Sequence, residues 1–297
     1  MNLQRASLAR ILLFVTPALW SANYLVARSA PGVIEPHALA LLRWSIAFFV
    51  MLPFAWVELR DRWPDWGREW KDLLLLGALG MWICGAFVYI GGRTTPAVNI
   101  SLIYASSPVM IAAASAIWFH DRLKPLQWLG ATLALVGMLL IIAKADWQTF
   151  VHLSFTAGDA WIVAAVLAWT AYSLLLKNRK TCLGVFSRST AITLGGVIVL
   201  IPFTLVETSV MGLAHQLTLK ALWLGIVAAI LPGLGAYQAY AFMQKELGAA
   251  KTGLVLYLGP LYAAVTAWAF LGEQPQFFHL VGAALILPGV YLASRNT

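Results

Sequence analysis

The amino-acid sequence predicts an all-α integral membrane protein of ten transmembrane helices, arranged as a five-plus-five inverted repeat with both termini in the cytoplasm. Three observations carry that prediction. The 297-residue chain is 61% hydrophobic and 11% charged, with a mean hydropathy of +0.80, whereas a soluble domain is about 25% charged. Apolar runs close to the roughly 20 residues that a helix needs to cross a bilayer recur ten times. Finally, "ALWSANYLVAR" at 18–28 is echoed by "LAWTAYSLLLK" at 167–177.

The runs lie near 9–28, 37–57, 72–92, 97–119, 125–143, 159–177, 186–206, 219–243, 250–271 and 276–294. The first follows Arg5 and Arg10, as a signal peptide would, but no cleavage site leads into a soluble chain, so it reads as a retained helix. With the N-terminus inside, fifteen Lys and Arg residues fall in inner loops and tails and four (Arg28, Arg93, Lys144, Lys220) in outer ones. That asymmetry sets the orientation. It also explains the net charge of +8 as a set of topology signals, so no nucleic-acid partner is expected. Cys84 lies in an apolar run and Cys182 in a basic loop, which implies no disulfide framework.

The echo extends along both halves. Trp20 matches Trp169 and Pro53-Phe54 matches Pro202-Phe203 at an offset of 149. Later pairs shift to 152: Arg93/Lys245, Ala97/Ala249, Pro108/Pro260, Asp121/Glu273, Gly130/Gly282 and Gly137/Gly289. Two repeats are therefore expected, 1–147 and 148–297. Each holds five spans, an odd number, so the second enters the membrane in the opposite sense to the first. Inverted repeats are a common way for carriers to obtain two shapes of similar energy around one central site.

Two halves that each end in a pattern P…(D/E)…G…G, here Pro108, Asp121, Gly130, Gly137 and then Pro260, Glu273, Gly282, Gly289, resemble the drug/metabolite transporter superfamily in its branch built from two EamA domains. The resemblance covers nearly the whole chain. Within that branch the chain looks most like bacterial aromatic amino-acid exporters. This resemblance implies efflux of amino acids and related metabolites across the bacterial inner membrane by alternating access.

A carrier's midplane cavity must desolvate a small polar solute without trapping it, a task suited to neutral hydrogen-bonding groups and aromatic faces. Trp20, Asn23 and Tyr24 stand at i, i+3 and i+4, on one face of the first span, and Trp169 and Tyr172 repeat the spacing on the sixth. In an inverted repeat these faces confront each other. The competing reading is an interfacial aromatic belt, with Asn and Ser bonding neighbouring helices. The third span offers Trp82 and Tyr89, seven residues apart with Gly85 between them. The eighth holds Pro232, Gly233 and Gly235 before Tyr237, Gln238 and Tyr240, with Gln238 the preferred site residue. The fourth and ninth contribute Tyr104 and Tyr257. Pro108, Pro232 and Pro260 are expected to kink their helices and act as hinges, while Asp121 and Glu273 would cap the following turns. The seven-residue spacing of Gly130 and Gly137, and of Gly282 and Gly289, reads as packing.

Arg43 is the one charge well inside a span. It can attract a substrate carboxylate, but a structural role is favoured, with Glu35 as a loose partner. No Asp or Glu lies mid-span, which disfavours a carboxylate proton relay or a cavity for cationic drugs. No P-loop, metal-ligand cluster or nucleophile with a base is present, so no metal, cofactor or enzymatic activity is expected. The resemblance implies a pair of basic residues on the fourth and ninth spans for the family's phosphate-sugar carriers, and Asn99 opposite Lys251 supplies one of the two, which disfavours a phosphorylated substrate. The expected partners are a small-molecule substrate and the bilayer; the sequence leaves the oligomeric state open, a monomer included. An exporter of hydrophobic drugs is the alternative carrier, and a membrane-embedded enzyme or scaffold subunit the alternative from another class.

Overall fold

The computed structural model describes the backbone of residues 3–95, 100, 103–104, 106–120, 124–144, 146, 148–152, 156–209, 218–271, 274 and 276–294. Among these residues there are helices and no strand. We label α1 (Leu3–Ser29), α2 (Pro36–Asp61), α3 (Trp63–Gly91), α4 (Ser107–Trp118), α5 (Pro125–Ile142), α6 (Ala157–Asn178), α7 (Val185–Ser209), α8 (Leu219–Leu247) and α10 (Phe277–Ser294). Helix α9 runs from Ala249–Gly253 through a 3-10 stretch, Leu254–Leu258, into Gly259–Leu271, and a single turn occupies Gln148–Val151. Among the described residues, six helices (α2, α3, α5, α6, α7 and α8) are long and apolar enough to cross a membrane, and α4 and most of α10 are shorter apolar helices.

Helix α3 begins earlier than the apolar pattern suggests, at Trp63 where 72 is expected. Pro64 suits a first helical turn, the indole N–H of Trp66 donates to the Leu59 carbonyl at 2.7 Å, and Trp63 packs edge-on against Trp66 at 4.6 Å. The polar stretch is thus held as a helical elbow. At the far end of α8, Gly248 takes φ +89°, a left-handed conformation suited to glycine, and turns the chain directly into α9.

Two antiparallel helix pairs frame the molecule. In the first, Glu207 at the end of α7 accepts the backbone N–H of His37 at 3.1 Å and of Ala38 at 3.2 Å, and its other oxygen meets His37 Nδ1 at 3.0 Å. Conversely, Glu58 near the end of α2 accepts the Gly184 N–H at 2.8 Å and the Ser187 hydroxyl at 2.6 Å, where α7 begins. Each carboxylate therefore meets the unpaired N–H groups and positive dipole end of its partner helix. Such a cap contributes about 1 kcal/mol. The two acids are 149 residues apart, the offset of the first repeat markers.

In the second pair, α5 and α10 touch backbone to backbone. A Cβ added at Gly130 would lie 2.5 Å from the Gly289 carbonyl oxygen, and one at Gly289 would lie 2.7 Å from that of Gly130. Gly137 and Gly282 stand in the same relation at 2.8 and 2.9 Å. Only glycine admits this approach, and the gain is close van der Waals contact along both helices. Residue 130 meets 289 and residue 137 meets 282, while 130 matches 282 and 137 matches 289 at the 152 offset. Each patch thus meets its own counterpart, as in an isologous contact.

The remaining helices surround the centre. Helices α3 and α8 carry π-helical stretches, Ala78–Phe87 and Ala229–Ala236, which overlap once the 152-residue offset is removed. Pro232 lies inside the second stretch and withdraws one backbone donor there. π-Helical turns occur frequently at functional sites, and these two face the same aromatic cluster.

Candidate functional site

Helices α1, α2, α6 and α8 bring six aromatic side chains together. Trp20 meets Trp169 edge-on at 5.6 Å, Tyr240 at 5.6 Å and Tyr237 at 6.4 Å. Trp169 stacks on Tyr172 at 5.4 Å and touches Tyr240 at 4.8 Å and Tyr237 at 5.6 Å. Trp44 closes the group against Tyr237 at 4.8 Å. Ring pairs at such distances and angles are favourable by about 1 kcal/mol beyond area burial. Ser173 and Tyr240 join their hydroxyls at 2.7 Å, and the Tyr237 hydroxyl donates to the Gly80 carbonyl at 2.8 Å inside the α3 π-helical stretch.

A polar node adjoins the cluster through Tyr237. The Asn23 side-chain oxygen accepts the Tyr89 hydroxyl at 2.7 Å and Arg43 Nη1 at 3.3 Å, and Arg43 Nη1 lies 3.5 Å from the Tyr89 oxygen. The guanidinium sits 4.6 Å from the Trp44 ring centre and 6.0 Å from that of Tyr237, a cation–π setting. Arg43 is 4% exposed. Glu35, the partner considered for it on sequence grounds, pairs instead with Arg93.

The structure thus brings Trp20, Asn23, Tyr89, Trp169 and Tyr172 together and sets other expected residues elsewhere. Trp82 stacks on Phe203 of α7 at 3.8 Å. Its seven-residue spacing from Tyr89 no longer completes two turns, because the i→i+5 bonding of the π-helical stretch widens each turn. Gln238 points its amide at Met51 Sδ, 3.1 Å away on α2. Its neighbours Tyr237 and Tyr240, three apart and on one face, take the site position instead. Tyr257 is buried with Ala131, Met138 and Ile286 against the α5–α10 pair. Tyr104 is half-buried and within electrostatic reach of Tyr237. The side chain of Tyr24 and residues Asn99, Asp121 and Glu273 lie outside the described residues.

Two of the expected prolines adjoin irregular backbone. Pro108 lies in the first turn of α4, and Pro260 is the second residue of Gly259–Leu271, directly after the 3-10 stretch. Trp44, Tyr237, Tyr240 and Ser173 join the site without being singled out by sequence. For the two tyrosines an i, i+3 signal was available, while Ser173 carries none.

A pocket of about 240 Å³ opens where α6 ends and α7 begins, lined by Lys177, Arg188 and Lys245 with Gln244, Ser189 and Ala241. Lys177 Nζ donates to the Lys245 carbonyl at 3.3 Å, and Arg188 donates to the carbonyls of Leu176 at 2.8 Å and Arg179 at 3.0 Å. Both cations therefore settle on exposed carbonyls at helix ends. Gln244 is one helical turn from Tyr240, so the pocket abuts the Ser173–Tyr240 hydrogen bond.

Related halves that meet at a buried aromatic and polar centre are an arrangement that membrane transporters use. The chain belongs to the EamA-like transporter family, which it matches over residues 7–143 and again over 156–295. It is 28% identical to a probable terminal-alkyne amino-acid exporter of Streptantibioticus cattleyicolor over 100% of this chain and 96% of that one. It is 25% identical to a probable amino-acid metabolite efflux pump of Salmonella typhimurium (92% and 90% covered) and 25% identical to an uncharacterized transporter of Archaeoglobus fulgidus (98% of each). One solved crystal structure superposes with a TM-score of 0.72 at 20% identity, covering 96% of this chain and 97% of that one, a likeness of fold.

Proposed function

We propose that this chain is a secondary carrier that exports amino acids, aromatic ones included, and related small metabolites across the bacterial inner membrane by alternating access. In this reading it has ten spans in two inverted repeats, 1–147 and 148–297, with both termini in the cytoplasm. The observation that carries the reading is the meeting of Trp20 with Trp169 at 5.6 Å. These residues match at the 149-residue offset, and residues that touch their own repeat counterparts lie on a twofold axis. The reciprocal caps of α2–α7 and the glycine pairs of α5–α10 support the same axis. Both pairs are antiparallel, so an axis relating their members runs across the helices, in the membrane plane, as inverted repeats require.

The chemistry supports the substrate class. Stacked and edge-on rings of Trp20, Trp169, Tyr172, Tyr237 and Tyr240 suit an apolar or aromatic side chain, and the Asn23–Tyr89–Arg43 node suits its polar head. The names of the Streptantibioticus and Salmonella relatives agree with this class. The cationic pocket would be the cytoplasmic approach, with Ser173–Tyr240 as the contact that must part.

The test is reconstitution into liposomes and uptake of a panel of labelled amino acids, with and without a pH difference. Saturable uptake of at least one aromatic amino acid above protein-free liposomes is expected. A folded protein that moved no amino acid in either condition would overturn the substrate class.

A further inference from the structure

We propose that Arg43 is the carboxylate-binding residue of the central site, so that this carrier selects solutes bearing a carboxylate and rejects the corresponding amines. The inference rests on the exporter reading above and deepens it by naming the group that recognition requires.

Arg43 bears a guanidinium, a cationic group with five donors and no acceptor. It is nevertheless buried at 4% exposure, inside α2 and facing the centre. A buried cation is ordinarily neutralised by an acid, because an uncompensated charge in a low-dielectric interior is expensive. Ten of the twelve acidic residues are among the described residues, and none of these ten lies within ion-pair distance of Arg43. Of the acids at this end of the bundle, Glu35 pairs with Arg93 and Glu207 with His37, while Asp159 accepts the Thr156 backbone N–H and Asp146 that of Gln148. The other two, Asp121 and Glu273, fall by sequence between helices, beyond the ends of α4 and α9.

Among the described residues, the contacts of Arg43 are neutral. Nη1 has the Asn23 oxygen at 3.3 Å and the Tyr89 hydroxyl at 3.5 Å, and the plane faces Trp44 and Tyr237. Asn23 is shared, since it also accepts from Tyr89. Nε finds no acceptor among the described residues. A Cβ at Gly233 would stand 3.5 Å from that nitrogen, so the glycine in the α8 π-helical stretch keeps this side of the fork uncrowded.

The arrangement orients the guanidinium without neutralising it. A carboxylate supplies both what is missing, a negative charge and a second acceptor in the plane of the fork. Its α-substituent would then point past Tyr237 toward Trp20 and Trp169, and an ammonium would find the ring faces. The approach pocket agrees in sign, since it is lined by Lys177, Arg188 and Lys245 and by no acid.

Three probes of one shape separate the groups: L-phenylalanine, phenylacetate, which lacks the amine, and phenethylamine, which lacks the carboxylate. Binding is measured on the purified full chain in detergent, by ligand-induced shift of thermal unfolding, for wild type, Arg43→Gln and Arg43→Lys. Wild type is expected to bind phenylalanine and phenylacetate and not phenethylamine. Arg43→Gln should weaken both carboxylates by at least about tenfold, as loss of a charged hydrogen-bonding partner does, with Arg43→Lys intermediate. Phenethylamine binding wild type as well as phenylacetate does, or Arg43→Gln binding phenylacetate as wild type does, would overturn the assignment. If Arg43→Gln does not fold, wild-type discrimination among the three probes together with Arg43→Lys decides the matter. The two levels fail separately. Arg43-dependent phenylacetate binding without transport of any amino acid sinks the exporter reading alone, and equal phenylalanine export by wild type and Arg43→Gln sinks the Arg43 assignment alone.

Discussion

Asn23 is the residue on which the polar node turns. One side-chain oxygen serves the Tyr89 hydroxyl at 2.7 Å and the Arg43 fork at 3.3 Å, so the members of the node are unequal. Tyr89→Phe removes a donor and leaves the Asn23 oxygen still bonded to Arg43. Its cost should be about 1 kcal/mol, the net value of one hydrogen bond. Asn23→Ala strips the acceptor from two buried donors, one of them charged, and should cost more, about 2–4 kcal/mol from the desolvation of unsatisfied groups. Thermal or denaturant unfolding of the two variants in detergent checks the order, and equal losses would show that Asn23 is not the shared acceptor. Much of this scale is legible in the sequence. Trp20 with Asn23, and Trp169 with Tyr172, follow from ordinary helical spacing, and the structure joins them. Trp82 and Gln238 do not follow, because π-helical stretches in α3 and α8 rotate the residues beyond them by an amount that the apolar pattern does not encode. Arg43 is visible as an odd charge, but only the fold shows that Glu35 is engaged elsewhere.

Among the elements, the helix pairs α5–α10 and α2–α7 are held by backbone-to-backbone glycine contacts and reciprocal caps, while α3 and α8 carry the irregular π-helical turns. The glycine contact makes a sign-reversing prediction. Glycine to alanine within a helix ordinarily stabilises by about 0.5–1 kcal/mol. At Gly130 and Gly289 the added methyl meets backbone at 2.5 and 2.7 Å, which no side-chain rotation relieves. Gly130→Ala and Gly289→Ala should therefore each destabilise by about 1–3 kcal/mol, the usual cost of overpacking. Gly67→Ala, with nothing within 4 Å of the new methyl, should stay within about 0.5 kcal/mol of wild type. Unfolding of the three variants in one detergent makes the comparison. The glycine stripe is readable from its seven-residue spacing, whereas the Glu58 and Glu207 caps are not. An acid near a helix end reads as a solvated residue until the fold brings another helix's N-terminus against it. Pro108 and Pro260 likewise read alike in the sequence, but the backbone sets the first in the opening turn of α4 and the second inside α9 directly after a 3-10 stretch.

At the level of the whole molecule, the repeat visible in the sequence gains a meeting point where Trp20 touches Trp169. A site built where two related halves touch can be opened from either side by moving one half against the other, without rebuilding its walls. Outside this centre the chain presents apolar side chains such as Phe54, Trp118 and Phe277, which suit lipid. Trp66, although near a helix end, is buried and bonded to Leu59, so its loss would report on stability and not on the membrane interface. Trp63, at 61% exposure, is the suitable aromatic control. Counterflow of labelled phenylalanine in proteoliposomes tests the site most directly, with wild type, Trp20→Ala/Trp169→Ala and Trp63→Ala reconstituted at equal protein density. Wild type and Trp63→Ala should exchange phenylalanine at comparable rates, and the double variant, folded by size-exclusion profile, should lose about tenfold or more, as expected when two stacking surfaces of about 1 kcal/mol each are removed. Wild-type exchange by the folded double variant would contradict a central site at the meeting of Trp20 and Trp169.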